Sequence, residues 1–132
     1  MKYQKRRHWK YRLYEDVFYR HTDITPAQPV DTEFINLTSE GSLLVKAGYV
    51  WDGASGPTID TKNTMTASLI HDALYNLLRD GLIDQKWRKR ADQVLYELLR
   101  QSGMSKIRAK IWFRAVRKGA AHAAEYDVLT AP

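Results

Sequence analysis

Asp52, His71, Asp72 and Asp92 are the residues of this chain whose types suit hydrolytic chemistry. Three carboxylates and one imidazole form a hard-to-borderline donor set, suited to a divalent cation such as zinc or magnesium. A cation held there would lower the pKa of a bound water and so supply a nucleophile. The same groups also serve without metal, with His71 as a general base and a carboxylate orienting its ring. His71 and Asp72 are neighbours on a helical pattern, so they diverge by about 100°, while Tyr75 lies one turn above His71. Asp52 and Ser55 belong to Trp51-Asp-Gly-Ala-Ser-Gly-Pro57, where two glycines and a proline shape a tight turn at a strand end. His71, Asp72 and Asp52 are therefore the candidate catalytic residues. Ser55, as a hydrogen-bond donor, and Tyr75, as a cleft wall, are the candidate substrate contacts. Asp52, His71, Asp72 and Asp92 are the candidate metal ligands.

Each of these residues also has a purely structural reading. Asp52 can bond the backbone two residues on, as aspartates in turns do. Asp72 adjoins the apolar Ile70 and Ala73, and a carboxylate buried there needs a partner. Asp92 follows Arg88-Lys-Arg-Ala and can form a surface ion pair of little energetic weight. His8, His21 and His122 read as surface residues.

The first half of the chain, which must position the turn, reads as strands. Residues 11–19 and 43–51 are aromatic and β-branched, and residues 33–38 alternate imperfectly. Ser39-Glu-Gly-Ser42 reads as a hairpin turn between the last two. Pro26 and Pro29 mark an irregular connection.

The second half reads as three helices. One covers about 65–80, with Leu69, Ile70, Ala73, Leu74, Leu77 and Leu78 on its apolar face, and Gly81 stops it. The next covers about 86–102, capped by Asp84 and stopped by Gly103, and buries Trp87, Ala91, Val94, Leu95, Leu98 and Leu99. The third covers about 106–123, capped by Ser105, with Ile107, Ile111, Trp112, Ala115 and Val116 as its apolar face. The short connection after Gly81 favours antiparallel packing of the first two, which would bring Asp92 to His71 or Asp72. The expected fold is α+β: one domain over 1–132, mainly β over 1–57 with a small antiparallel sheet of three or four strands, then helical over 64–123.

Charge is unevenly laid out. Residues 1–12 carry +6, residues 13–85 carry −7, residues 86–118 carry +9 and the tail carries −2. The candidate site thus draws mostly on the acidic middle. Lys106, Lys110 and Arg114 make one helical stripe, with Arg117 and Lys118 beyond it, and Lys86, Arg88, Lys89 and Arg90 add to the basic third. A phosphate backbone is one partner for residues 86–118; solvation of two outer helix faces is the plainer reading. The chain has no cysteine, which excludes a disulfide scaffold, a cysteine zinc site and a thiol nucleophile. There is no run of roughly 20 apolar residues for a membrane span. The basic start lacks the apolar stretch of a secretory signal, so the expected location is the cytoplasm.

The Asp52-Gly-Ala-Ser-x-Pro57 turn, His71-Asp-x-Leu-Tyr75 and Ala91-Asp92-x-x-x-Tyr96 with Gly103 downstream resemble a family of small phage and prophage proteins. That family is catalogued as a domain of unknown function and is marked by a DGASxP loop and an HDxLY helix. The resemblance spans about 48–119. Residues 58–68 are short and polar here, where family members often carry an aromatic, proline-rich insert. The resemblance implies a phage or prophage origin, and with it the bacterial host cytoplasm or a virion as the expected location, and maps the family's recurrent polar positions onto Asp52, Ser55, His71, Asp72 and Asp92. It names no reaction.

Three functions compete. The first is a hydrolase-like His/Asp cleft, metal-assisted or not, acting on a cell-wall peptide or glycan fragment. The second is a non-enzymatic virion accessory or host-interaction protein, with a phage or host protein as partner and the Asp/His cluster as a structural network. The third is a basic-helix nucleic-acid binder.

Overall fold

The computed structural model describes residues 2–5, 11–51 and 62–119. Their fold is α+β. Seven short strands, β1 (Tyr3–Lys5), β2 (Tyr11–Leu13), β3 (Val17–Tyr19), β4 (Val30–Asp31), β5 (Ile35–Leu37), β6 (Leu43–Val45) and β7 (Val50–Trp51), precede three helices, α1 (Lys62–Arg79), α2 (Arg88–Gln101) and α3 (Lys106–Gly119).

The strands form two antiparallel sheets rather than the single sheet expected: β1-β2-β7 and β3-β6-β5-β4. Two of the strands read as continuous in the sequence are each broken, and this break makes the second sheet. Residues 11–19 divide into β2 and β3, and residues 43–51 divide into β6 and β7. The register is continuous across the corner, with Tyr11 opposite Trp51 on one side and Val17 opposite Val45 on the other. The two sheets are thus one bent ribbon with extra strands on each arm. Gly48 makes the bend. It has φ of 101°, which a side chain resists, and a Cβ there would lie 2.8 Å from the Phe34 ring. The Asp16 carboxylate accepts from the Ala47 amide at 2.7 Å and fixes the other strand of the corner. The Ser39–Ser42 turn forms as expected, with Gly41 at φ 92° and Thr38 N donating to Ser42 O at 2.9 Å.

Inward residues of both sheets, including Leu13, Ile35, Leu37, Leu43 and Val45, share one buried core with α1. All six apolar residues expected on the face of α1 are buried, and so are Met65, Ala67, Ser68, His71 and Tyr75. A helix covered on nearly every side is a central one. Gly81 and Gly103, with φ of 71° and 101°, end α1 and α2 in the left-handed conformation that favours glycine. Asp84 caps a short 3-10 turn, Gln85–Trp87, by accepting from Lys86 N at 2.7 Å, and α2 proper begins after it. Ser105 Oγ accepts from Arg108 N at 3.3 Å at the start of α3.

The apolar face expected for α3 is corrected. Trp112 and Val116 are buried, but with Ala109 rather than with the isoleucines. Ile107 is 75% exposed and Ile111 50% exposed, and Ala115 is exposed as well. Tryptophan is the largest anchor, so its position sets the rotation of the helix and turns the isoleucines outward. Residues 120–123 of the expected helix lie outside the described residues.

Candidate functional site

Helical spacing places His71 and Tyr75 on one side of α1, one turn apart, with ring centroids 4.3 Å from each other. α1 and α2 run antiparallel: Ala67 shares an apolar cluster with Leu95 and Leu99, while Tyr75, further along α1, meets Asp92 near the start of α2. Asp92 is wholly buried. Its Oδ1 lies 2.7 Å from His71 Nε2 and accepts from the Tyr75 hydroxyl at 2.6 Å. Its Oδ2 accepts from Arg117 Nη1 on α3 at 2.8 Å. One carboxylate thereby joins all three helices.

Burial by itself would raise the pKa of Asp92. The hydrogen bonds from His71, Tyr75 and Arg117 outweigh it and hold the carboxyl below its ordinary range. For the Tyr75 hydroxyl the balance runs the other way. Burial first, then its bond to the Asp92 carboxylate, push it well above the usual phenol value. Asp92 is thus kept ionised and Tyr75 kept as a donor. Arg88 also faces Tyr75, and its Nη1 is buried with no hydrogen-bond partner among the described residues.

The sequence-predicted site is brought together in part. His71, Tyr75 and Asp92 meet. Asp72 is half-buried, is not among the partners of Asp92, and leaves the helix about 100° from His71. Asp52 and Ser55 lie outside the described residues. The strand leading to them ends at Trp51, whose Nε1 donates to Ser68 Oγ at 3.2 Å. Ser68 is one turn before His71, so β7 ends beside the stretch of α1 that carries the network.

The described residues do not fit a divalent cation. No group of three or more His, Asp or Glu side chains among them is arranged to hold one. Asp92 faces three donors, one of them a guanidinium, and a cation would have to displace that charge.

Sequence reasoning missed Arg117, which it placed beyond the basic stripe. Its signal was position: next to the buried Val116 and one turn past the half-buried Phe113, it borders the inward arc of α3. Arg90 was likewise read as part of a basic surface. It instead holds Glu97 through two nitrogens, at 2.6 and 3.0 Å, and donates to the Thr22 carbonyl at 2.8 Å. Arg100 donates to the Met104 carbonyl at 2.7 Å. The stripe of Lys106, Lys110 and Arg114 is exposed, as is Lys118 beyond it.

The site and fold define a class: an α+β protein whose helices are tied by a buried His–Tyr–Asp–Arg network. The chain belongs to the family described as protein of unknown function DUF1353, whose model matches residues 28–116. The match starts earlier than the resemblance read at 48. It takes in β4 to β7 and includes His71, Tyr75 and Asp92, and Arg117 lies one residue past its end. No curated protein and no solved structure matches the chain. No helix among the described residues is long and apolar enough to cross a membrane.

Proposed function

We propose that this is a non-enzymatic interaction protein of a phage or prophage, a virion accessory or host-interaction protein, in which His71, Tyr75, Asp92 and Arg117 are structural. The observation that carries the reading is the burial of Asp92 with both oxygens occupied by donors from three helices. A carboxylate used on substrate must be reachable, whereas one enclosed by its partners organises packing. The clefts between α2 and α3, beside residues 25–28, and beside Glu33 and Asp80 are lined by other residues. The test pairs thermal unfolding with turnover of cell-wall peptide and glycan fragments, in the wild type and His71→Gln. The expected result is a lowered melting temperature for the variant and no turnover by either protein. Turnover by the wild type that the variant loses overturns the reading.

One observation favours a second, hydrolase-like reading. Arg88 Nη1, buried beside Tyr75 without a partner among the described residues, suits a substrate oxyanion. In that reading Asp92 orients His71 through Nε2, and Nδ1 takes the proton from an attacking water. Asp52, Ser55 and Asp72 then serve as the remaining polar wall toward a cell-wall fragment.

A further inference from the structure

The surface between α2 and α3 opens into a groove of about 470 Å³, lined by Gln93, Tyr96 and Glu97 from α2 and by Lys110 and Phe113 from α3. Tyr96 and Phe113 meet edge to face, with centroids 6.3 Å apart and planes at 77°. Both rings are only half-buried, so their apolar surface faces the opening. The volume falls in the range of sites for small organic ligands, roughly 300–1,000 Å³.

The electrostatics choose the sign of the occupant. Lys110 is exposed on the rim and continues a stripe with Lys106 and Arg114, on a helix that carries no acidic residue. Glu97, the one carboxylate in the lining among the described residues, is turned to Arg90, whose guanidinium binds both its oxygens. The wall therefore offers a cation at Lys110 and a neutralised acid opposite. The groove shares no residue with the Asp92 network.

We propose that this groove binds a small aromatic anion, its ring packed on the exposed side of the Tyr96–Phe113 pair and its carboxylate or sulfonate on Lys110. An aromatic ligand matches the edge and face of the existing ring pair. A negative group gives the Lys110 ammonium a partner that the described residues do not supply within the groove.

The test uses 2-naphthoate as the probe and 2-naphthol as its neutral isostere, titrated at pH 7 into the full chain and followed by amide chemical shifts. The expected result is movement at Gln93, Tyr96, Glu97, Lys110 and Phe113, with 2-naphthoate binding about fivefold tighter than 2-naphthol, the worth of an exposed ion pair. Lys110→Glu removes that preference and, because Lys110 is exposed, leaves the fold intact. Phe113→Ser abolishes binding of both probes; where Phe113→Ser fails to fold, Lys110→Glu decides. Equal binding of the two probes to the wild type, shifts confined to other surfaces, or an undiminished preference in Lys110→Glu overturns the proposal.

Discussion

α2 carries two carboxylates, Asp92 and Glu97, and each is held by an arginine. The surroundings make them different. The Asp92 side chain is fully buried, and Arg117 reaches it from another helix. The Glu97 side chain is 41% exposed, and Arg90 reaches it from the same helix, seven residues back. Losing one partner of a buried pair strands a charge out of water, which costs several kcal/mol. Losing one partner of an exposed pair returns the other to solvent, at a cost of about 1 kcal/mol or less. Arg90 adds something the pair alone does not: it also donates to the carbonyls of Thr22 and His21 and meets the Asp23 carboxylate at 3.3 Å. Asp23 has φ of 55°, a conformation that most side chains avoid. The inner pair ties helix to helix, and the outer one ties the helical half to the connection between β3 and β4.

The largest effect expected from breaking this contrast is at Asp92. Asp92→Ala leaves Arg117, His71 and Tyr75 without their shared acceptor and destabilises by about 3–5 kcal/mol, read as a drop in melting temperature of about 10 °C or more. Next is the coupling within each pair. Double-mutant cycles should give a coupling above about 1.5 kcal/mol for Asp92 with Arg117 and about 0.2–1 kcal/mol for Glu97 with Arg90. Equal couplings would erase the distinction drawn from burial. Tyr75→Phe, which removes one donor and keeps the ring, should cost about 1–2 kcal/mol by denaturant unfolding. Glu97→Gln is the smallest, within about 1 kcal/mol.

Acidity sharpens the same contrast. The folded state holds the Asp92 carboxyl below its unfolded value, so its contribution to stability is present above the ordinary carboxylate range. That contribution is lost as pH falls through the folded value, below about pH 4. The folded state holds the Tyr75 hydroxyl above its unfolded value, so its contribution is present below about pH 10 and is lost on going further alkaline. Stability against pH should therefore fall at both ends. Asp92→Asn should flatten the acid limb, and Tyr75→Phe the alkaline one, each measured by denaturant unfolding across the range.

Much of the helical half was legible. Gly81, Asp84, Gly103 and Ser105 act through local backbone chemistry, and each stops or caps a helix where its type predicts. The apolar face of α1 was legible because it repeats over several turns. The α3 face was misread because its isoleucines and its tryptophan offer two apolar arcs, and a single sequence does not say which one a neighbour covers. The split of two strands into four was hidden because aromatic and β-branched residues flank the corner on both sides, although Glu15-Asp16 and Lys46-Ala-Gly48 within it are poor strand formers. Gly48 is the sharpest mark of it, and Gly48 is confined by Phe34, a residue in the bend between β4 and β5.

The site divides along the same line. Helical spacing was enough to pair His71 with Tyr75, since i and i+4 positions on one helix must be neighbours, and the short connection after Gly81 pointed Asp92 toward His71. That Asp92 is the centre rather than Asp72, that its third partner is Arg117, and that Arg90 holds a connection rather than facing solvent depend on which helix faces meet. Ion-pair choice across helices follows distance and burial, and neither is encoded by local sequence. The sequence by itself determined the helices, their ends and the chemical inventory. The tertiary structure decided which carboxylate is enclosed and which arginine encloses it, because the dielectric and the donors around a charge are set by elements far apart in the chain.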